Sequence, residues 1–246
     1  MSRRFFLPPE QKNGDMARIA GEDAHHLTHV LRLAPGAELS ISCLGLIYPA
    51  QIEDLSRGEV WLRLGEPLPE QLESPLQLTL LLGLLKGEKM DWVIEKAVEL
   101  GVAGIRPLFC RRCVVKLGQA QAQAKTARWQ KIAEAAAKQC RRALIPQILP
   151  PLTLPEALSN LPADCHLLTA WEEDKNISLK IGKYTNIALL IGPEGGLCEE
   201  EISLICHHGG EIFGLGPRIL RSETAAIAGI SILMHRFGDV MVIDNY

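Results

Sequence analysis

The sequence predicts an α/β protein in which a small β domain precedes a larger domain built on a mostly parallel sheet. Three observations carry this expectation. Residues 1–72 hold short alternating or apolar runs separated by turn residues. From residue 73 to 246, apolar runs alternate with helical patterns, as βαβ units require. Between the two lies Leu64 to Pro75, rich in proline and glutamate, which reads as a linker. At 246 residues the chain is long enough for two modest domains, each with its own core. No apolar run approaches the roughly 20 residues that a membrane helix needs. The stretch Met1 to Phe6 lacks the longer apolar region of a signal peptide, so a cytoplasmic protein with no membrane partner is expected.

In the first domain the strands are expected at Glu38 to Cys43, Tyr48 to Ile52 and Val60 to Leu64, divided by Pro35-Gly36, Ser56-Arg57-Gly58 and Gly65-Glu66-Pro67. One helical piece, Asp23 to Leu33, carries His25, His26 and His29. His25 and His29 stand one helical turn apart, but no carboxylate follows at motif spacing, so no metal is expected there. In the second domain Gln77 to Leu85 is a strand. Met90 to Leu100 is a helix with Val93, Ile94, Ala97 and Val98 on one face and Gly101 as its C-cap. Ile105 to Phe109 is the next strand, and Thr126 to Arg142 a long helix around Trp129, Ile132, Ala133, Ala136 and Ala137. A short helix, Pro155 to Leu161, a strand, His166 to Ala170, and a polar loop, Trp171 to Thr185, follow.

The remaining stretch concentrates the chemistry. Asn186 to Ile191 is a buried strand that ends in Gly192-Pro193-Glu194-Gly195-Gly196, and a helix opens at Cys198-Glu199-Glu200-Glu201. Strand, glycine turn and helix form a ligand cradle. The three glutamates complement the helix dipole and would repel a polyphosphate, which favours a ligand with a cationic centre. A second strand, Glu211 to Phe213, leads into Gly214 to Thr224, with Ser222 as the expected N-cap of a helix rich in small residues, Thr224 to about Met234.

Charge is segregated along the chain. Arg106 to Arg142 holds ten basic residues and one acid, a net +9 against −12 for the remainder. So strong a segregation points to a polyanion such as nucleic acid. The seven scattered cysteines suit free thiols better than a disulfide framework. Cys110 and Cys113 have CxxC spacing without a second ligand pair, so neither zinc nor redox chemistry is expected.

Ile191 to Gly196, together with Leu215-Gly216-Pro217-Arg218-Ile219-Leu220-Arg221-Ser222-Glu223-Thr224-Ala225, resembles the signature of the RsmE family, ribosomal RNA small subunit methyltransferases E of the SPOUT superfamily. Lys86 to Val102, Arg112 to Lys116 and the His25 to Arg32 stretch are similar to the family as well, so the resemblance spans nearly the whole chain. One departure stands at Gln139-Cys140-Arg141-Arg142-Ala143-Leu144, where the family pattern is close to Gln-Ser-Gly-Arg-Asn-Arg.

The resemblance implies a PUA-like β-barrel over 1–72 that binds RNA, and a SPOUT methyltransferase domain over 73–246 with a trefoil-knotted backbone. It implies a homodimer that binds S-adenosylmethionine and no metal. The reaction implied is methylation at N3 of one specific uridine of 16S rRNA within the small ribosomal subunit. The implied cofactor-binding residues are Thr169, Ile191, Gly192, Pro193, Glu194, Gly195, Gly196, Leu215, Gly216, Ile219, Leu220, Thr224 and Ala225, with Ala170 beside Thr169. Arg3, Arg4, Arg32, Arg112, Lys116 and Arg142 are the implied RNA contacts. The N3 proton of uracil must leave, so the site needs a base or a cation that favours the uridine anion. Arg221 and Glu223 are assigned these roles because they sit in the cofactor loop. Two alternatives stay open: another SPOUT enzyme, such as a ribose 2′-O-methyltransferase, and an RNA-binding module without turnover.

Overall fold

The computed structural model describes residues 4–56, 58–68, 73–174, 182 and 184–240. Arg3, linker residues 69–72, and residues 175–181 and 183 of the polar loop lie outside them. The chain divides into two compact units, Met1–Glu73 with Ala137–Ile145, and Ser74–Ala136 with Pro146–Tyr246. The boundary expected at 72/73 thus falls between Glu73 and Ser74. The segment 137–145, expected with the second domain, groups with the first.

The first unit is a six-stranded sheet of β1 (Arg4–Phe6), β2 (Lys12–Asn13), β3 (Met16–Ile19), β4 (Glu38–Cys43), β5 (Leu46–Ser56) and β6 (Glu59–Leu64), in the order β1-β4-β5-β6-β3-β2. Only β1 and β4 run parallel. Alternation in β4 to β6 turns Ile41, Ile52, Val60 and Leu62 into one core with Phe5 and Leu27. Between β3 and β4, α1 (Gly21–His25) runs into a single π-helical turn, His26–Val30. The chain leaves that turn through Arg32, whose φ of 51° is left-handed. The helix expected over Asp23 to Leu33 therefore starts earlier, at Gly21, ends at Val30 and is under-wound over its last turn.

The segment Ala137–Ile145 is tied into this unit by side chains. The Arg142 guanidinium donates to Glu73 at 3.1 and 2.5 Å, and Glu73 also accepts the N–H groups of Ala143 (2.8 Å) and Leu144 (2.9 Å). Ser42 and Arg4 donate to the carbonyls of Ala143 and Arg141, and Lys138 pairs with Asp23.

The second unit is built from β7 (Gln77–Gly83), α2 (Lys89–Glu99), β8 (Gly104–Phe109), α3 (Gln119–Gln139), β9 (Gln147–Ile148), β10 (Leu152–Thr153), α4 (Leu154–Ser159), β11 (His166–Ala170), β12 (Asn186–Ile191), α5 (Glu199–His207), β13 (Glu211–Phe213) and α6 (Ser222–Phe237). Its sheet is parallel throughout, ordered β10-β8-β7-β12-β11-β13 with β9 on β8. The near-continuous apolar runs of β7 and β12 suit strands covered on both faces. Helix α3 begins at Gln119, ahead of the expected Thr126, because its first turns alternate Ala and Gln, good helix formers with no apolar stripe to reveal them. It stops at Gln139, where the Arg142 N–H closes on the Ala137 carbonyl (3.0 Å).

Register makes the carboxyl ends of four strands level. Ala170 of β11 faces both Ile191 of β12 and Phe213 of β13, and Ile191 faces Leu82 of β7. Helix α6 lies on β12, and a Cβ on its Gly229 would stand 2.9 Å from Leu189 Cδ2. Ala226, Ile230 and Leu233 are buried on the same face. The small residues of this helix therefore serve a close contact within the chain.

Candidate active site

The glycine loop after β12 and the loop after β13 meet at the carboxyl edge of the sheet, where open α/β sheets place their ligands. They enclose a cavity of about 280 Å³, near the lower end of the roughly 300–1,000 Å³ of small-molecule sites. The first loop contributes Ile191, Gly192, Pro193, Glu194 and Gly196; the second contributes Leu215, Gly216, Ile219, Leu220 and Arg221, with Ala225 from α6. Three expected residues are not on the wall: Thr169, wholly buried next to Ala170, and Gly195 and Thr224. The wall also includes Ala170, Ser222, which was expected only as a helix cap, and Lys89, Trp171, Glu172 and Arg218, for which no role was expected.

Close packing shapes the first loop. A Cβ on Gly83, at the end of β7, would stand 2.4 Å from the Pro193 nitrogen, so only glycine lets the loop fold over that strand. Gly195 packs on the backbone of Arg112, whose Nη1 donates to the Gly195 carbonyl at 3.2 Å. Arg112, expected as an RNA contact, thus braces the loop. In the second loop Gly216 has φ 103°, a conformation that side chains avoid, with open space before it.

The acidic helix start works differently from the expectation. Glu201 is buried, and its carboxylate accepts the N–H groups of Cys198 (3.0 Å) and Arg111 (2.8 Å). Glu200 lies 3.5 Å from Arg111 Nη1. The Cys198 thiol, its own backbone and Arg111 hold the Glu200 carboxyl below its ordinary range. None of Glu199, Glu200 and Glu201 lines the cavity. The carboxylates on the wall are Glu172 and Glu194.

Ser222 is not the cap of α6: Arg221 occupies the N-cap with φ −66° and ψ 152°, and Ser222 is buried as the first helical residue. Glu223 falls in the first turn, off the wall, with Oε1 3.3 Å from Lys89 Nζ. Among the described residues, Thr169 Oγ1, Trp171 Nε1 and Glu223 Oε2 are buried without a hydrogen-bond partner. Of the three residues only Trp171 is on the cavity wall, where an orphaned polar atom calls for a partner.

The other sequence-predicted contacts scatter. Arg4 is half-buried; Arg32 and Lys116 are exposed. Arg142 is buried, its side chain 8% exposed against Glu73, so it offers no face to a phosphate. Among the described residues, no group of three or more His, Cys, Asp or Glu side chains is arranged to hold a metal ion. Hydrogen bonding from Cys110 brings the Cys113 thiol down to about 7 and drives the Cys110 thiol up. Among the described residues no helix is long and apolar enough to cross a membrane.

Residues 72–234 match the RNA methyltransferase domain family and residues 19–65 the RNA methyltransferase PUA domain family. The chain is 32% identical to ribosomal RNA small subunit methyltransferase E of Bacillus subtilis, over 95% of this chain and 96% of the relative. It superposes with a TM-score of 0.88 on ribosomal RNA small subunit methyltransferase E of Neisseria gonorrhoeae bound to S-adenosylmethionine, at 30% identity over 98% of this chain and 100% of the other. A putative methyltransferase from Legionella pneumophila in complex with the same cofactor gives 0.85 at 34% identity, covering 97% of this chain and 99% of that one. The first unit is thus a PUA-like domain and the second a SPOUT-type methyltransferase domain. In sequence, domain content and fold, the chain belongs to the ribosomal RNA small subunit methyltransferase E family.

Proposed function

We propose that this protein methylates N3 of one specific uridine in 16S rRNA of the small ribosomal subunit, using S-adenosylmethionine, as a cytoplasmic homodimer with the knotted backbone of its superfamily. The observation that carries the reading is the cavity between the two signature loops. Relatives that share those loops' fold are described with S-adenosylmethionine bound. The residues present fit that group: the cavity has glycine-lined walls, the Gly216 backbone faces open space, and the buried Trp171 N–H has no partner among the described residues.

When bound, S-adenosylmethionine supplies a methyl group on a positively charged sulfur. The backbone of Gly192–Gly196 and Leu215–Leu220 would hold it, with Trp171 as a donor. Arg221 stabilises negative charge on a uracil oxygen as the N3 proton leaves, a role supported by its exposure on the cavity wall. Of the two roles expected for Glu223, accepting that proton or orienting a neighbour, its place behind Lys89 favours orienting. Arg4, Arg32 and Lys116 are the proposed RNA contacts, and Arg112 acts through the loop it braces.

The test incubates the purified protein with S-adenosylmethionine and small subunits that lack the modification, then identifies the methylated nucleoside by mass spectrometry. 3-Methyluridine supports the reading; a 2′-O-methylated nucleoside, or none, overturns it. Arg221→Ala is expected to cut turnover by about a hundredfold or more while cofactor binding stays within about twofold. Full turnover in that variant would remove Arg221 from the mechanism.

A further inference from the structure

We propose that Lys89 is a positioning residue of this cavity, clasping its two loops through Glu194 and Glu223 and offsetting one of their two negative charges beside the cationic sulfur. The inference rests on the reading that the cavity takes S-adenosylmethionine.

Lys89 opens α2 and lines the cavity. Its Nζ lies 3.6 Å from Glu194 Oε1 and 3.3 Å from Glu223 Oε1. Glu194 belongs to the first loop, and Glu223 follows the second directly. Glu194 Oε1 also accepts the Lys86 N–H at 3.0 Å, so the first loop is fastened both to the start of α2 and to the turn that precedes it. Glu223 is mostly withdrawn from solvent, its side chain 16% exposed, and its Oε2 is buried without a hydrogen-bond partner among the described residues. A carboxylate in that setting depends on its cation.

Two consequences follow from removing the ammonium. The loops lose their common anchor, which weakens any ligand held between them. The two carboxylates are also left unbalanced next to the cavity, and that extra negative charge attracts a positive sulfur. S-Adenosylhomocysteine has the same groups without the methyl and without the charge on sulfur. Lys89→Met should therefore weaken both ligands, but the cationic one less. A purely structural role would weaken both by the same factor.

The test is calorimetric titration of both ligands into the full-length wild type, Lys89→Met, Lys89→Arg, and Lys89→Met combined with Glu223→Gln. Lys89→Met is expected to weaken S-adenosylhomocysteine about tenfold and S-adenosylmethionine about threefold, a shift in their ratio of about threefold. Lys89→Arg restores both affinities to within about twofold, because it keeps the charge. Adding Glu223→Gln to Lys89→Met removes most of the ratio shift. Equal weakening of the two ligands, or wild-type affinities in Lys89→Met, overturns the proposal. If Lys89→Met does not fold, Lys89→Gln carries the same ratio test. A wild type that binds neither ligand overturns this inference and the cofactor reading together. A wild type that binds both, with a ratio that does not move, overturns this inference alone.

Discussion

Arg141 stands in the left-handed backbone region at φ 62°, just beyond the end of α3. The family pattern has glycine at this place, and the geometry gives the reason: the chain must turn so that the Arg142 N–H reaches the Ala137 carbonyl. A side chain in that region costs about 1–2 kcal/mol. Arg141→Gly is therefore expected to stabilise the protein by about 0.5–1 kcal/mol, after allowing for the greater freedom of glycine in the unfolded chain. The Arg141 carbonyl that accepts from Arg4 is kept in this variant. A urea midpoint that fell would contradict this account. Next to it, Arg142 shows what a motif match hides. Its identity fits the family, but its partner Glu73 lies far along the chain, and only the fold reveals a buried ion pair in place of a phosphate contact.

At the scale of elements, the strands that frame the site were legible because each is a short apolar run, bounded by glycine after β12 and β13 and by a polar loop after β11: the expected bounds of β11, β12 and β13 are those observed. Lys89, Trp171 and Glu172 were not legible as wall residues. They reach the cavity from the start of α2 and the end of β11 only when parallel register brings the strand ends level. The glutamates of α5 misled for a related reason: their composition suggested a ligand, whereas Glu201 is consumed by the backbone of Arg111 and Cys198. The turn from Cys110 to Cys113 braces the glycine loop through Arg112, and its chemistry is measurable. With its thiol brought to about 7 by the Cys110 hydrogen bond, Cys113 is expected to react with iodoacetamide with a midpoint near that pH. A midpoint near 9, the ordinary value, would contradict the hydrogen bond. The sign for stability follows: a thiol lowered by folding contributes stability above its ordinary value, and that contribution is lost as pH falls from about 9 through about 7.

Across the whole molecule, the basic segment is less available than its composition suggested. Among the described residues, four of its ten cations, Arg111, Arg128, Lys138 and Arg142, are paired with Glu200, Asp91, Asp23 and Glu73, all outside the segment. If the remaining six carried the contact with rRNA, the logarithm of affinity would fall against the logarithm of salt with a slope of about −4 to −5. All ten in contact would give about −7 to −9, and a filter-binding series from low to moderate salt separates the two.

The same ion pair between Arg142 and Glu73 bears on the order in which the protein is made. The ribosome releases a chain from its N-terminus onward, and domains commonly fold in that order. Here the first unit includes Ala137–Ile145, which is translated only after most of the strand-and-helix pattern from β7 to α3 has emerged. Until those residues leave the exit tunnel, Glu73 has no guanidinium to meet and the Ser42 hydroxyl no Ala143 carbonyl. The unit that begins the chain is thus completed well after it is begun, and a pause in translation before residue 145 would hold it unfinished.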